Sequence, residues 1–378
     1  MSTKKRLIVN AVPLTSVHTG IARYLHCLYT EMERKYLSEL EIWYFDGKSI
    51  SQSIPRGPKR LDQWSRLADM FWKLPWPVAL AVRLALHFQT EHRFHKLAQG
   101  FDIYHEAGFF PLKVPPGVRT VFTVHDMSLF RYPQHHPRER VMYHKMFWNG
   151  RSPRVDRFLA VSWFTKQELQ TYLQAGQNAI TITPLAHDPD IFYPRSENRV
   201  QALIQKRRLP KTYFLFVGSG DPRKNMHLIP QALETAGLDI PLLLAGWSGW
   251  STTSLPDNVY PAGYVSDDDL ALLYSGAVAL VFPSTYEGFG LPVLEAMACG
   301  CPVVTTKEAS LPEVAADAAL YVQAPSDPLE LGMLLQKLAD DGANRRGLRD
   351  KGLSRAAGFS WERTAEITFR AIHKMYNI

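Results

Sequence analysis

The chain has 378 residues, 46% of them hydrophobic, with 43 Lys and Arg against 36 Asp and Glu; that composition describes a globular protein long enough for two cores. No run approaches the ~18–20 uncharged apolar residues of a membrane span, and the basic stretch 1–10 lacks the apolar core of a secretion signal. Cys27, Cys299 and Cys301 form neither a disulfide framework nor a metal-ligand spacing, so a reducing cytoplasm is the expected compartment.

The charge is uneven. Residues 1–195 hold 26 Lys and Arg against 16 Asp and Glu (+10), and the remainder 17 against 20 (−3), which sum to +7. No nucleic-acid motif accompanies the basic half. An anionic membrane surface suits it, beside the plainer reading of a solvated face.

Strand-like runs fall near 6–12, 40–46, 102–105, 119–124, 157–161 and 179–183, with helical stretches between them. The segment 60–88 interrupts this rhythm: Trp64, Trp72 and Trp76 sit among Arg60, Arg66, Lys73 and Arg83. It reads either as an interfacial helix resting in headgroups or as a buried helix pair broken by Pro75 and Pro77. The stretch 191–198 has the Pro stop and polar run of a linker, and a helix near 198–207 follows. Strands then recur near 213–217, 241–245, 258–260, 279–282, 302–305 and 319–322, and a last helix spans about 361–376 behind Ser360. Strands alternating with helices predict βαβ units and parallel sheets. The expected α/β architecture is two doubly wound domains, 1–195 and 196–360, with a cleft between them. A C-terminal helix, 361–378, is able to cross back to the first. Ligands of such sheets bind outside the carboxyl ends of the strands.

The most informative stretch is Tyr286-Glu287-Gly288-Phe289-Gly290-Leu291-Pro292-Val293-Leu294-Glu295, two carboxylates eight positions apart around a glycine-rich turn and a helix start. A buried strand feeding such a turn offers backbone N–H groups to an anion or polar ligand. The spacing rules out an i,i+4 pair and suits two ends of one elongated ligand. Three further segments join it: Gly218-Ser219-Gly220-Asp221-Pro222-Arg223-Lys224-Asn225, a basic pair at an expected helix start; Val124-His125-Asp126, a His at a strand end; and Thr305-Thr306-Lys307-Glu308-Ala309-Ser310-Leu311-Pro312.

Together these segments resemble the retaining GT-B glycosyltransferases of family 4, in particular the mannosyl- and rhamnosyltransferase-like branch of bacterial polysaccharide synthesis. The resemblance covers nearly the whole chain and is strongest from 213 to 315. It implies two Rossmann-like domains, with the nucleotide-sugar held mainly by the second. Arg223 and Lys224 would neutralise the donor diphosphate, where leaving-group charge develops. Glu287 would touch the donor sugar near its anomeric centre, and Glu295 would accept from the ribose hydroxyls. The backbone of Gly288, Phe289, Gly290 and Leu291 would meet sugar and phosphate oxygens, and His125 would bond the sugar from the first domain. Gly20 resembles the family's first glycine-rich loop, although family members usually carry two adjacent glycines where this chain has Thr19-Gly20.

Two D-x-D strings, Asp188-Pro189-Asp190 and Asp267-Asp268-Asp269, could suggest a metal. The first lies beside the linker and the second follows an N-cap-like Ser266, so both read as structural; His135-His136 lack a third ligand, and no metal or cofactor is expected. By the resemblance the donor would be GDP-mannose or a GDP-deoxymannose such as GDP-rhamnose, with UDP- and dTDP-sugars open. A lipid-linked saccharide acceptor of O-antigen type would be met peripherally at the inner face of the cytoplasmic membrane. A nucleotide-sugar epimerase and a non-catalytic sugar-nucleotide-binding subunit are the competing readings. No G-x-G-x-x-G follows either first strand, which disfavours a NAD enzyme.

Overall fold

A computed structural model describes residues 4–15, 20–55, 75–173, 179–246, 255–263 and 265–376. The chain divides into two compact units, Met1–Leu185 with Trp361–Ile378, and Ala186–Ser360. The change of unit thus comes earlier than the expected boundary at 195. The reason is local: Phe192 is buried with its ring 6.2 Å from that of Tyr274, and the Arg195 N–H donates to Ser275 Oγ at 3.0 Å, so the stretch ahead of 195 is built into the second unit.

The first unit contains β1 Lys5–Asn10, β2 Leu40–Phe45, β3 Ile50–Ser51, β4 Ile103–Glu106, β5 Arg119–Val124, β6 Arg157–Ala160 and β7 Ala179–Ile182. They form one sheet in the order β3-β2-β1-β4-β5-β6-β7. Every pair is parallel except the short β2–β3 pair, a strand the sequence did not suggest. Leu7, Ile8 and Val9 in β1 are fully buried, the near-continuous apolar run of a strand covered on both faces. The helix Gly20–Tyr36 buries Tyr24, Leu25, Leu28, Tyr29 and Met32, one stripe at helical spacing.

The C-terminal helix, Trp361–His373, belongs to this first unit. It packs on the helix Gly20–Tyr36, with Tyr36 stacked on Phe369 at 4.0 Å, and Thr364 Oγ1 donates to the Pro184 carbonyl at 2.6 Å. Its buried face is Trp361, Thr364, Ala365, Thr368, Ala371 and Ile372. The apolar residues Ile367 and Phe369 are only half-buried at its flank, so alanines and threonines define the contact stripe.

Pro75 and Pro77, expected as breakers, open the helix Trp76–Leu97. Proline fits a first helical turn because the N–H it lacks has no partner there in any case. Trp76, Val78, Val82, Leu86 and Phe88 on this helix are exposed. Residues 60–74 of the same Trp-bearing segment lie outside the described residues.

The second unit holds β8 Phe214–Val217, β9 Leu242–Ala245, β10 Val259–Gly263, β11 Leu280–Phe282, β12 Val303–Thr306 and β13 Leu320–Val322. The order is β10-β9-β8-β11-β12-β13, parallel throughout. The chain winds outward from β8 to β10, then returns to lay β11 on the other side of β8. That reversal is the switch point of the sheet, where the loops after β8 and β11 leave adjacent strand ends. At the neighbouring edge, Gly218 N donates to the Ala245 carbonyl at 3.0 Å. A Cβ on Gly246 would lie 2.1 Å from the Gly218 carbonyl oxygen, so only glycine allows these two strand ends their approach.

Candidate active site

In the second unit the loop after β8 makes a 3-10 turn at Pro222–Lys224, not the expected helix start; the helix proper is Leu228–Thr235. Asp221 caps the turn. Its Oδ1 accepts from the Arg223 N–H at 3.0 Å, and its carboxylate also takes Arg223 Nε at 3.1 and 3.2 Å and Nη2 at 2.5 Å. Burial pushes the Asp221 carboxyl up, but the bonds from Arg223 and its charge outweigh burial and hold it below the usual range. Asn225 closes the turn at φ 53°, and its Nδ2 donates to the Pro325 carbonyl at 2.7 Å. The turn is therefore fixed at both ends before any ligand arrives.

The loop after β11 is wired to this turn. Thr285 N donates to the Arg223 carbonyl at 2.8 Å. Ser284 Oγ lies 3.1 Å from that same carbonyl and 2.9 Å from Glu287 Oε1. Thr306 Oγ1 donates to the Ser284 carbonyl at 2.6 Å. The outcome is an ion pair across the switch point, Lys224 Nζ to Glu287 Oε1 at 2.6 Å. Ser310, fully buried, directs its hydroxyl at the carbonyls of Glu287 (2.9 Å) and Phe289 (2.8 Å). Gly290, at φ 105°, then starts the helix Leu291–Ala298, with Pro292 in its first turn.

The structure thus brings Arg223, Lys224, Glu287, Gly288, Phe289, Gly290 and Leu291 together around two adjacent strand ends. Glu295 stands apart from Glu287. It is 3% exposed, and its Oε2 accepts from the Tyr274 hydroxyl at 3.3 Å on the helix Asp267–Gly276.

His125 and Gly20 belong to the first unit. His125 follows β5, and its Nε2 is buried with no hydrogen-bond partner among the described residues. Burial pushes the imidazole down to about 4, partly offset by Asp126, so it is neutral near pH 7. The Tyr24 ring meets it edge-on at 4.9 Å. Beneath them runs a buried chain: Tyr24 hydroxyl to Thr123 Oγ1 at 2.8 Å, Thr123 to His105 Nε2 at 2.8 Å, and His105 Nδ1 to the Tyr29 hydroxyl at 2.5 Å. Burial, then the neighbouring His125, pushes His105 down to about 3. Gly20 begins its helix, and a Cβ there would meet nothing within 4 Å, so crowding in its own unit does not demand glycine. Thr19 and the rest of 16–19 lie outside the described residues.

Both D-x-D strings have structural partners. Asp188 Oδ1 accepts from Asp190 N at 3.0 Å; Ser266 caps its helix through Asp269 N at 3.2 Å; Asp268 and Asp269 pair with Arg195 and Arg207. Among the described residues no three His, Cys, Asp or Glu gather as a metal set. The sequence reading missed Asp221, Asn225, Ser284, Ser310 and Tyr274, which hold the site side chains. Asp before Pro and Asn after the basic pair are turn signals that could have found the first two.

Comparison with known proteins agrees with this geometry. Residues 18–191 match the family model "Glycosyltransferase Family 4", and residues 200–355 match "Glycosyl transferases group 1". The O-antigen chain mannosyltransferase B of Escherichia coli is 33% identical over 97% of this chain and 99% of its own length. The chain belongs to glycosyltransferase family 4. Another relative of this glycosyltransferase, the O-antigen chain mannosyltransferase RfbU of Salmonella typhimurium, is 28% identical over 85% of this chain and 87% of that protein. The sucrose-phosphate synthase of Thermosynechococcus elongatus shares the fold at a TM-score of 0.71 and 19% identity, covering 99% of this chain and 100% of that one.

Proposed function

We propose that this glycosyltransferase moves a mannosyl or D-rhamnosyl unit from a GDP-sugar onto a lipid-linked or oligosaccharide acceptor of O-antigen type, with retention and without a metal. The observation that carries the reading is the Lys224–Glu287 pair beside Arg223, two cations and a carboxylate fixed at one switch point. The likeness to O-antigen mannosyltransferases along 97% and 85% of the chain supports the sugar and the pathway class.

Arg223 and Lys224 receive the diphosphate. Arg grips phosphate oxygens in fixed fork geometry, while Lys supplies a point charge. As the anomeric bond breaks, negative charge grows on the diphosphate, and cations already held in place stabilise it without reorganising. Glu287 steadies the cationic sugar. The acceptor hydroxyl attacks from the face the diphosphate leaves, and its proton passes to a phosphate oxygen, which preserves the anomeric configuration. His125, neutral near pH 7, hydrogen-bonds a sugar hydroxyl without adding charge. Glu295, steadied by Tyr274, accepts from the ribose.

The +10 balance of residues 1–195 and the exposed apolar side chains of the helix Trp76–Leu97 support peripheral contact with the anionic inner face of the cytoplasmic membrane. Among the described residues no helix is long and apolar enough to cross a membrane. The test is transfer from GDP-mannose and GDP-rhamnose, beside UDP- and dTDP-sugars, to a polyprenyl-diphosphate-linked saccharide in EDTA. The product's anomeric signal is read by NMR. A retained configuration and undiminished rate with a GDP-sugar are expected. Turnover only with UDP- or dTDP-sugars, inversion, or loss of activity in EDTA each overturns the corresponding part.

A further inference from the structure

The two site cations are paired differently. Arg223 is tied to Asp221, a carboxylate that also accepts the Arg223 backbone N–H and so belongs to the turn itself. Lys224 is tied to Glu287 across the switch point, at 2.6 Å, with the two side chains only 20% and 13% exposed. The same Glu287 Oε1 lies 2.9 Å from Ser284 Oγ, which can hold the carboxylate when Lys224 is taken away. Asp221 cannot leave without undoing its turn, whereas Glu287 can turn or share its cation.

We propose that Glu287 is the displaceable counter-anion of Lys224, and that this makes the site prefer an intact sugar nucleotide to a bare nucleoside diphosphate. The inference rests on the reading that Lys224 receives the donor diphosphate. An incoming diphosphate competes with Glu287 for Lys224 and brings negative charge beside it. When the sugar is attached, its hydroxyls donate to Glu287 and offset what the carboxylate loses. When the sugar is absent, Glu287 faces the phosphate without new donors, and two like charges share one cation. After transfer the same competition returns Lys224 to Glu287 and speeds release of the nucleoside diphosphate.

The test compares wild type with Glu287→Gln, which keeps the side-chain volume, can still accept from Ser284, and cannot form the ion pair. Affinities for inorganic pyrophosphate, GDP and GDP-mannose are measured by calorimetry. Removing a unit charge this close to a cation in a partly screened site is expected to tighten pyrophosphate and GDP about ten-fold. GDP-mannose should not tighten, so its preference over GDP falls by about the same factor. Glu287→Ala, followed in parallel by its melting curve, should move pyrophosphate the same way. In a Lys224→Met background the effect of Glu287→Gln should vanish. Pyrophosphate affinity that is unchanged or weaker in both Glu287 variants overturns the proposal, as does tightening that persists without Lys224. Pyrophosphate reports on the diphosphate subsite whatever the base. Tightened pyrophosphate with no GDP response therefore sinks the GDP reading alone, and GDP-mannose turnover with unmoved pyrophosphate sinks this inference alone.

Discussion

Ser310→Ala removes one oxygen atom and tests whether the Glu287 loop is held from behind. The Ser310 hydroxyl is fully buried and lies 2.9 Å from the Glu287 carbonyl and 2.8 Å from that of Phe289. It has one hydrogen, shared between two carbonyls on either side of Gly288. Alanine fills the same backbone position without strain and leaves both carbonyls short of a donor in a dry place. A lost buried hydrogen bond of this kind costs about 1–3 kcal/mol. In a unit of this size each kcal/mol is worth about 2–4 °C, so the second unit should melt roughly 5 °C lower. The same slack lets Glu287 drift from the place where it would meet the donor sugar, and about 1.4 kcal/mol of misplacement is ten-fold in kcat/KM. The assay is a melting curve together with donor-dependent transfer kinetics. If Ser310→Ala melts with wild type and keeps full kcat/KM, the loop is held by something other than this hydroxyl and the account of the site fails.

Gly246→Ala should be far more damaging, because its Cβ would lie 2.1 Å from the Gly218 carbonyl oxygen at a φ of 136°; a loss of about 3 kcal/mol or more is expected, read as a large Tm drop or insoluble expression. With Glu295 on the ribose as proposed, Tyr274→Phe, which removes a donor 3.3 Å from Glu295 Oε2, should raise KM for the donor with kcat nearly kept; a fall in kcat at constant KM contradicts that proposed role. Acid should destabilise the first unit. Burial holds His125 and His144 down to about 4 from an ordinary 6.5, so the unfolded chain binds protons that the folded one refuses. Their stability contribution is complete above 6.5 and is lost as pH falls toward 4. His144→Phe, which keeps an aromatic ring against Trp148, should flatten the acid limb of unfolding free energy against pH by up to about 1.4 kcal/mol per pH unit.

Much of the fold was legible because its strands are short apolar runs bounded by turn residues. Twelve strand positions are legible within a few residues; among the described residues the strand without a sequence signal, Ile50–Ser51, is two residues long and pairs antiparallel on an edge, too brief to leave a pattern. The boundary at Leu185 was not legible, since the linker-like composition near 191–198 says nothing about which core Phe192 joins. The packing face of the last helix was hidden for a related reason. Thr364, Ala365 and Thr368 carry no strong hydropathy signal, yet they lie on the buried face of that helix, while Phe369, stacked on Tyr36, is only half-buried.

The sequence by itself determined the candidate site side chains: Arg223 and Lys224 after one strand, Glu287 after another, His125 after a third, each at a strand's carboxyl end where such sheets bind ligands. Their types and order follow from local pattern, which a linear reading can see. Only the tertiary structure decided which of them meet. The order β10-β9-β8-β11 sets two loops more than sixty residues apart side by side, and hence pairs Lys224 with Glu287 rather than with Asp221, its near neighbour in the chain. It also chose the supports Ser284, Ser310 and Tyr274, whose hydroxyls are common residue types with no distinguishing spacing. A hydrogen bond requires contact in space, and contact between distant residues is set by strand order, which no local propensity encodes.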